Sequence, residues 1–110
     1  MVGAGEPVAV RIVTAPDAAC AVPTWSQAVG MISGRLARRF GEAVTIDHVT
    51  VFSPRFFELA DVAAGVQAGM ELPIVFVGGA VVSRGGKISE PRIAAALRAA
   101  GVNGAEGARS

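Results

Sequence analysis

The first apolar stretch of this chain, Val8–Thr14, carries Val8, Val10, Ile12 and Val13 with little polar relief, the pattern of a strand covered on both faces. After residues 15–23 the period changes. Trp25, Val29, Ile32, Leu36 and Phe40 follow at spacings of 4, 3, 4 and 4, which lines one face of a helix. Thr24 and Gln27 form a Thr-x-x-Gln capping box at its start, Arg35, Arg38 and Arg39 complement the dipole towards its end, and Gly41 suits a left-handed stop.

Val44–Phe52 is β-branched and apolar apart from Asp47 and His48, and predicts a second strand. Ser53-Pro54 then supplies an N-cap followed by proline at the first helical position. Phe56, Leu59, Ala63, Val66 and Met70 come at spacings of 3, 4, 3 and 4, so one helix is expected to about Ala68, ended by Gly69. Phe56 and Phe57 are adjacent, so only one can face a core; the other is expected as an exposed contact or under a loop. Leu72-Pro73 opens Ile74–Val77, and Gly78-Gly79 separates it from Ala80–Ser83, a hairpin signal. Arg84–Lys87 reads as a loop, Ser89 as a cap, and Ile93, Leu97 and Ala100 as the inner face of a last helix that Gly101 stops.

The order is therefore β-α-β-α-β-β-α. Long connections after the first two strands predict parallel neighbours with right-handed crossovers, and the glycine hairpin adds an antiparallel pair. The expected fold is α/β, a four-stranded mixed sheet flanked by three helices. Residues 1–6 and 103–110 show no apolar period and are expected as disordered tails, leaving a domain over 7–102. There is no internal repeat.

Composition sharpens this mainly by exclusion. A chain of 110 residues is one domain, and at this size it buries roughly 65% of its unfolded surface, enough for a core without staples. Ten Lys and Arg against nine Asp and Glu give +1, so there is no polybasic surface and no nucleic-acid partner is expected. No apolar run approaches the roughly 18 residues of a membrane span, and the first ten residues lack a signal-peptide pattern, so a cytoplasmic protein without a membrane partner is expected. One cysteine excludes an intramolecular disulfide and a paired-cysteine cycle within one chain; with one histidine there are too few ligands for a structural zinc.

Cys20 falls between the first strand and the first helix, where open α/β sheets place their ligands. A helix N-terminus stabilises a nearby thiolate, but the capping box at Thr24 leaves Cys20 several residues short of the helix. A start capped by Asp17 would put Cys20 in the first turn, with Pro23 inside the helix and Asp17 opposing the thiolate. Both placements stand, beside the plainer reading of Cys20 as a small buried residue.

Pro73 opens a strand. A cis Leu72-Pro73 bond would turn the backbone before it towards the Cys20 loop and offer a peptide group to an extended substrate, although only about 5–6% of such bonds are cis. Gly85-Gly86, between Arg84 and Lys87, reads either as a small nest for a carboxylate or phosphate or as a turn with solvated charges. His48 is expected to be hydrogen-bonded or edge-exposed rather than a thiol-tuning group or metal ligand. Trp25 is expected at the core or its rim, and Arg35, Arg38 and Arg39 at a solvated helix end.

The element order, with a cysteine loop after the first strand and Leu72-Pro73 at the third, resembles the thioredoxin fold. Leu72-Pro73-Ile74-Val75-Phe76-Val77-Gly78-Gly79 followed by Gly85-Gly86 is similar to the second half of glutaredoxins. The stretch from Ser53-Pro54-Arg55-Phe56 to Ile93 is also similar to the arsenical-resistance metallochaperones, and a third relative is a group of small disulfide oxidoreductases whose Cys-x-x-Cys shortly precedes a proline. In that pattern the paired cysteines would fall at Asp17 and Cys20, or at Cys20 and Pro23; either alignment leaves one thiol.

The resemblance implies Pro73 as a cis-proline that recognises substrate backbone with Leu72, and Gly85 and Gly86 as contacts to glutathione. The expected function is monothiol mixed-disulfide chemistry at Cys20, with no resident cofactor or metal, glutathione as co-substrate and a protein or glutathione thiol or disulfide as partner. Two alternatives are a non-catalytic interaction module and a soft-metal or metalloid carrier using Cys20 across a homodimer. The chain is expected as a monomer or weak homodimer.

Overall fold

The structure, a computed structural model, describes residues 7–17 and 24–102. The expected tails at 1–6 and 103–110 lie outside those residues, as does Cys20. The elements are β1 (Val8–Thr14), α1 (Trp25–Phe40), a 3-10 turn (Gly41–Ala43), β2 (Val44–Thr50), α2 (Pro54–Glu58), α3 (Ala60–Gln67), β3 (Ile74–Val77), β4 (Ala80–Arg84) and α4 (Glu90–Ala99).

Side-chain alternation along β1 feeds two cores, because successive residues of a strand point to opposite faces. Val10 and Ile12 pack with Val29, Leu36, Ile93 and Leu97, so α1 and α4 cover one face of the sheet. Val13 packs with Phe56, Val62 and Phe76, so α2 and α3 cover the other. Among the described residues the result is an α/β architecture with a four-stranded mixed sheet and four α-helices. The predicted face of α1 is the buried one: Val29, Ile32, Leu36 and Phe40. Its capping box forms in both directions, with Gln27 N–H donating to Thr24 Oγ1 at 3.1 Å and Thr24 N–H donating to Gln27 Oε1 at 2.8 Å. Ser53 and Ser89 cap α2 and α4 in the same manner, each accepting a backbone N–H at 3.3 Å.

Four expectations are corrected. The second strand ends at Thr50 rather than Phe52, because Ser53 N–H turns back to Thr50 O and Phe52 adopts φ +69°. The single helix expected from Pro54 is two, broken at Leu59, whose φ and ψ of −108° and 92° are extended. The break has a packing reason. Phe56 and Val62, both buried, are six residues apart and would lie about 120° apart around one straight helix; the extended residue between them lets both reach the same core.

The crossover after the second strand does not produce a parallel neighbour. The sheet order is β2-β1-β3-β4, with β1 parallel to β2, and β3 antiparallel to both β1 and β4. The chain leaves β2 and enters β3 at the same end of the sheet, so the broken pair α2–α3 makes no net traverse. Finally, the arginines near the end of α1 are not simply solvated: Arg35 and Arg39 both meet Glu90, the first residue of α4, at 3.5 Å. On the opposite face Arg11, inside an otherwise apolar strand, sits 3.5 Å from Asp47, its register partner on β2, which Arg55 also holds at 2.6 Å.

Candidate functional site

The antiparallel β1–β3 register decides what meets at the C-terminal end of β1. Val13 pairs with Ile74, so the next residues outward are Thr14 and Pro73. Leu72-Pro73 is a cis peptide, the Pro73 side chain is fully buried, and Leu72 packs against the α2–α3 core. Among the described residues no hydrogen bond uses the N–H or C=O of Leu72. Within the described residues, the backbone just before β3 therefore offers one donor and one acceptor without a partner at the end of the sheet from which the β1–α1 connection departs.

Gly85 joins this edge from β4. Its N–H donates to Pro73 O at 2.9 Å and to Glu71 O at 3.0 Å, which ties the loop after β4 to the residues flanking Leu72. Gly85 has φ +74°, and a Cβ there would lie 3.0 Å from Glu71 Oε1. Both facts favour glycine at this position. They also bear on the two readings of Gly85-Gly86, nest or turn. The first amide is engaged inward and a carboxylate lies beside it, so the two glycines do not form a two-amide anion cradle. Gly86, at φ +67°, is exposed and its N–H has no partner among the described residues.

The other side of the same end is polar. Thr14, fully buried, lies with its Oγ1 2.7 Å from His48 Nε2 on the neighbouring strand, and its carbonyl accepts Val51 N–H at 2.9 Å. His48 is thus the hydrogen-bonded strand histidine that its sequence context predicts. Asp17 reaches the start of α1, where its carboxylate accepts from Ser26 N–H at 3.0 Å and from the Ser26 hydroxyl at 2.6 Å. The Ser26 hydroxyl, then the Ser26 and Trp25 amides, hold the Asp17 carboxyl below its ordinary value, with a smaller contribution from the charge of His48. The two helix starts left open in the sequence are thereby separated: Thr24 is the N-cap, and Asp17 is a second acceptor on the same helix terminus.

The sequence-predicted residues divide accordingly. Leu72, Pro73 and Gly85 come together, Gly86 follows on the rim, and Cys20 lies outside the described residues, between Asp17 and Thr24. Trp25, half-buried, lines one cavity with Gly86, Lys87 and Ile88. Phe56 is the buried member of its pair. Phe57 is 66% exposed and packs with Phe52, itself 69% exposed, at a ring separation of 6.2 Å. Thr14, Glu71 and the Asp17–Ser26 contact were not identified from sequence. Thr14 alone carried a signal, as the polar residue closing an apolar strand.

No protein-family model matches the sequence, and no curated protein matches it.

Proposed function

We propose that this chain is a thioredoxin-like domain that performs monothiol mixed-disulfide exchange at Cys20. The observation that carries the proposal is the β1–β3 register, which sets Leu72-Pro73 beside the strand end leading to the Cys20 loop. The strand order β2-β1-β3-β4 with β3 antiparallel supports the thioredoxin-like reading. So does the tie between Gly85 and the residues flanking Leu72.

In the proposed reaction the Cys20 thiolate attacks one sulfur of a glutathionylated substrate. The substrate S–S bond breaks, a Cys20–glutathione disulfide forms, and the departing thiolate takes a proton from water. A glutathione thiolate then attacks the mixed disulfide, releasing glutathione disulfide and restoring Cys20. The Leu72 N–H and C=O hold the substrate backbone in an extended conformation during attack, as an added strand would be held.

The test is glutathione-dependent reduction of a glutathionylated peptide, with intact-mass detection of the Cys20 adduct. Wild type should form the adduct and turn over, and Cys20→Ser should do neither. A thiol that alkylates no faster than a free cysteine, with no adduct, would remove the redox reading.

A second reading is favoured by the exposed Phe52–Phe57 pair: a protein-interaction module using that aromatic surface. Retained partner binding in Cys20→Ser, lost in Phe57→Ser, would support it. Metal-dependent dimerisation lost in Cys20→Ser would instead support the soft-metal carrier.

A further inference from the structure

On the α1–α4 side of the sheet a half-open slot of about 390 Å³ lies between the first three turns of α1 and the segment after β4. It is lined by Trp25, Ala28, Ile32, Gly86, Lys87 and Ile88. Its volume falls within the range of small-ligand pockets, whose usual build is an apolar lining with a few polar groups that orient the ligand. The spacing explains the lining. Trp25, Ala28 and Ile32 stand at intervals of three and four on one helical face, so their side chains form one continuous apolar wall. Ile88 closes that wall from the opposite segment.

The polar groups at the slot carry one sign. Lys87 makes no ion pair among the described residues, so its charge is available to a ligand. The Gly86 amide and the Trp25 indole N–H likewise have no hydrogen-bond partner among the described residues. Among the described residues, one cation and two unpaired N–H donors border an apolar space, and no acidic side chain lines it. A ligand complementary to this arrangement has an apolar body and a single anionic head.

We infer that this slot is a binding site for a small amphiphilic carboxylate, with its chain or ring against Trp25, Ala28, Ile32 and Ile88 and its carboxylate on Lys87 and the Gly86 amide. None of the contacts proposed for the ligand involves a thiol. The slot also differs in chemistry from a glutathione site, because a tripeptide with two carboxylates and an ammonium does not match an apolar wall with one cation.

The chain reports on this site by itself. Trp25 is its only tryptophan and it has no tyrosine, so intrinsic emission reads the slot directly. Octanoate is a suitable probe. It should shift Trp25 emission to shorter wavelength saturably, with a Kd on the order of 1 mM for a ligand of about ten heavy atoms.

Lys87→Gln should weaken octanoate about threefold, the scale of one exposed ion pair. Octan-1-ol should bind more weakly than octanoate to wild type and equally to both proteins. Ala28→Phe should fill the slot and abolish the response; if that variant does not fold, octanoate-induced NMR shifts of the Ile32 and Ile88 methyl groups provide the same reading.

Absence of a saturable emission change together with unmoved Ile32 and Ile88 methyls would overturn the inference. So would octan-1-ol binding as tightly as octanoate.

Discussion

Substituting the two neighbouring glycines after β4 separates backbone strain from crowding at the candidate site. Gly85 and Gly86 have nearly the same left-handed φ, +74° and +67°. Alanine at either position incurs the left-handed penalty of about 1–2 kcal/mol, partly offset by a stiffer unfolded chain, for a net loss of about 1 kcal/mol. Their surroundings differ. A Cβ on Gly86 meets nothing within 4 Å, whereas one on Gly85 lies 3.0 Å from Glu71 Oε1 and 3.3 Å from Glu71 Cβ. The carboxylate can swing aside, but the Glu71 Cβ is fixed by a backbone that is itself bonded to Gly85 N–H through Glu71 O.

Relieving that contact must therefore stretch the bonds that join Gly85 to Glu71 and Pro73, a further cost of about 1–2 kcal/mol. Gly85→Ala should lose about 2–3 kcal/mol and Gly86→Ala about 1 kcal/mol by urea unfolding at equal m-value. The difference corresponds to roughly 4–8 °C in Tm per kcal/mol for a domain of this size. In a Glu71→Gly background, which removes the Cβ as well as the carboxylate, the Gly85→Ala cost should shrink by about 1 kcal/mol while that of Gly86→Ala stays fixed. Two glycine variants of equal cost, or no coupling to Glu71, would refute the claim that the β4 loop is clamped on the Leu72-Pro73 edge.

Three further outcomes follow from particular contacts. Because Asp17 titrates below its usual 3.8 when folded, its contribution to stability is complete above that pH and is lost as pH falls through the folded value; acid titration of wild type against Asp17→Asn should show the gap between them constant near neutrality and closing below about pH 4. Thr14→Val keeps the shape of a fully buried residue but leaves His48 Nε2 without its 2.7 Å partner, so a loss of about 1–2 kcal/mol should accompany a changed His48 ring signal by NMR. Phe56→Ala should cost about 3–5 kcal/mol in chemical denaturation, whereas Phe57→Ala, removing only an exposed ring and its aromatic contacts, should cost about 1 kcal/mol or less.

The legible parts of this protein were those set by neighbours along the chain. The capping box of Thr24 and Gln27, the Ser53-Pro54 and Ser89 helix starts, the buried stripe of α1 and the Gly78-Gly79 hairpin all form as their local chemistry predicts. The break at Leu59 was not visible, because the spacing from Phe56 to Met70 suits one helix. Only the requirement that Phe56 and Val62 reach the same core favours two. The candidate site was legible residue by residue and not as an assembly. Pro73 and the glycine pair stood out as backbone-shaping residues, but Glu71 and Thr14, exposed and buried polar residues of ordinary type, carried little or no local mark.

Local preferences in this chain decide element type and limits, since caps, turns and amphipathic period act within a few residues. What they leave open is direction. Whether β3 runs with or against β1 depends on how a long connection returns, and that is decided by packing two faces of one sheet at once. That tertiary choice, with Val13 opposite Ile74, sets Leu72-Pro73 beside the end of β1 and brings Gly85 onto it. It is also tertiary packing that sets Lys87 opposite the Trp25–Ile32 wall, more than fifty residues away along the chain.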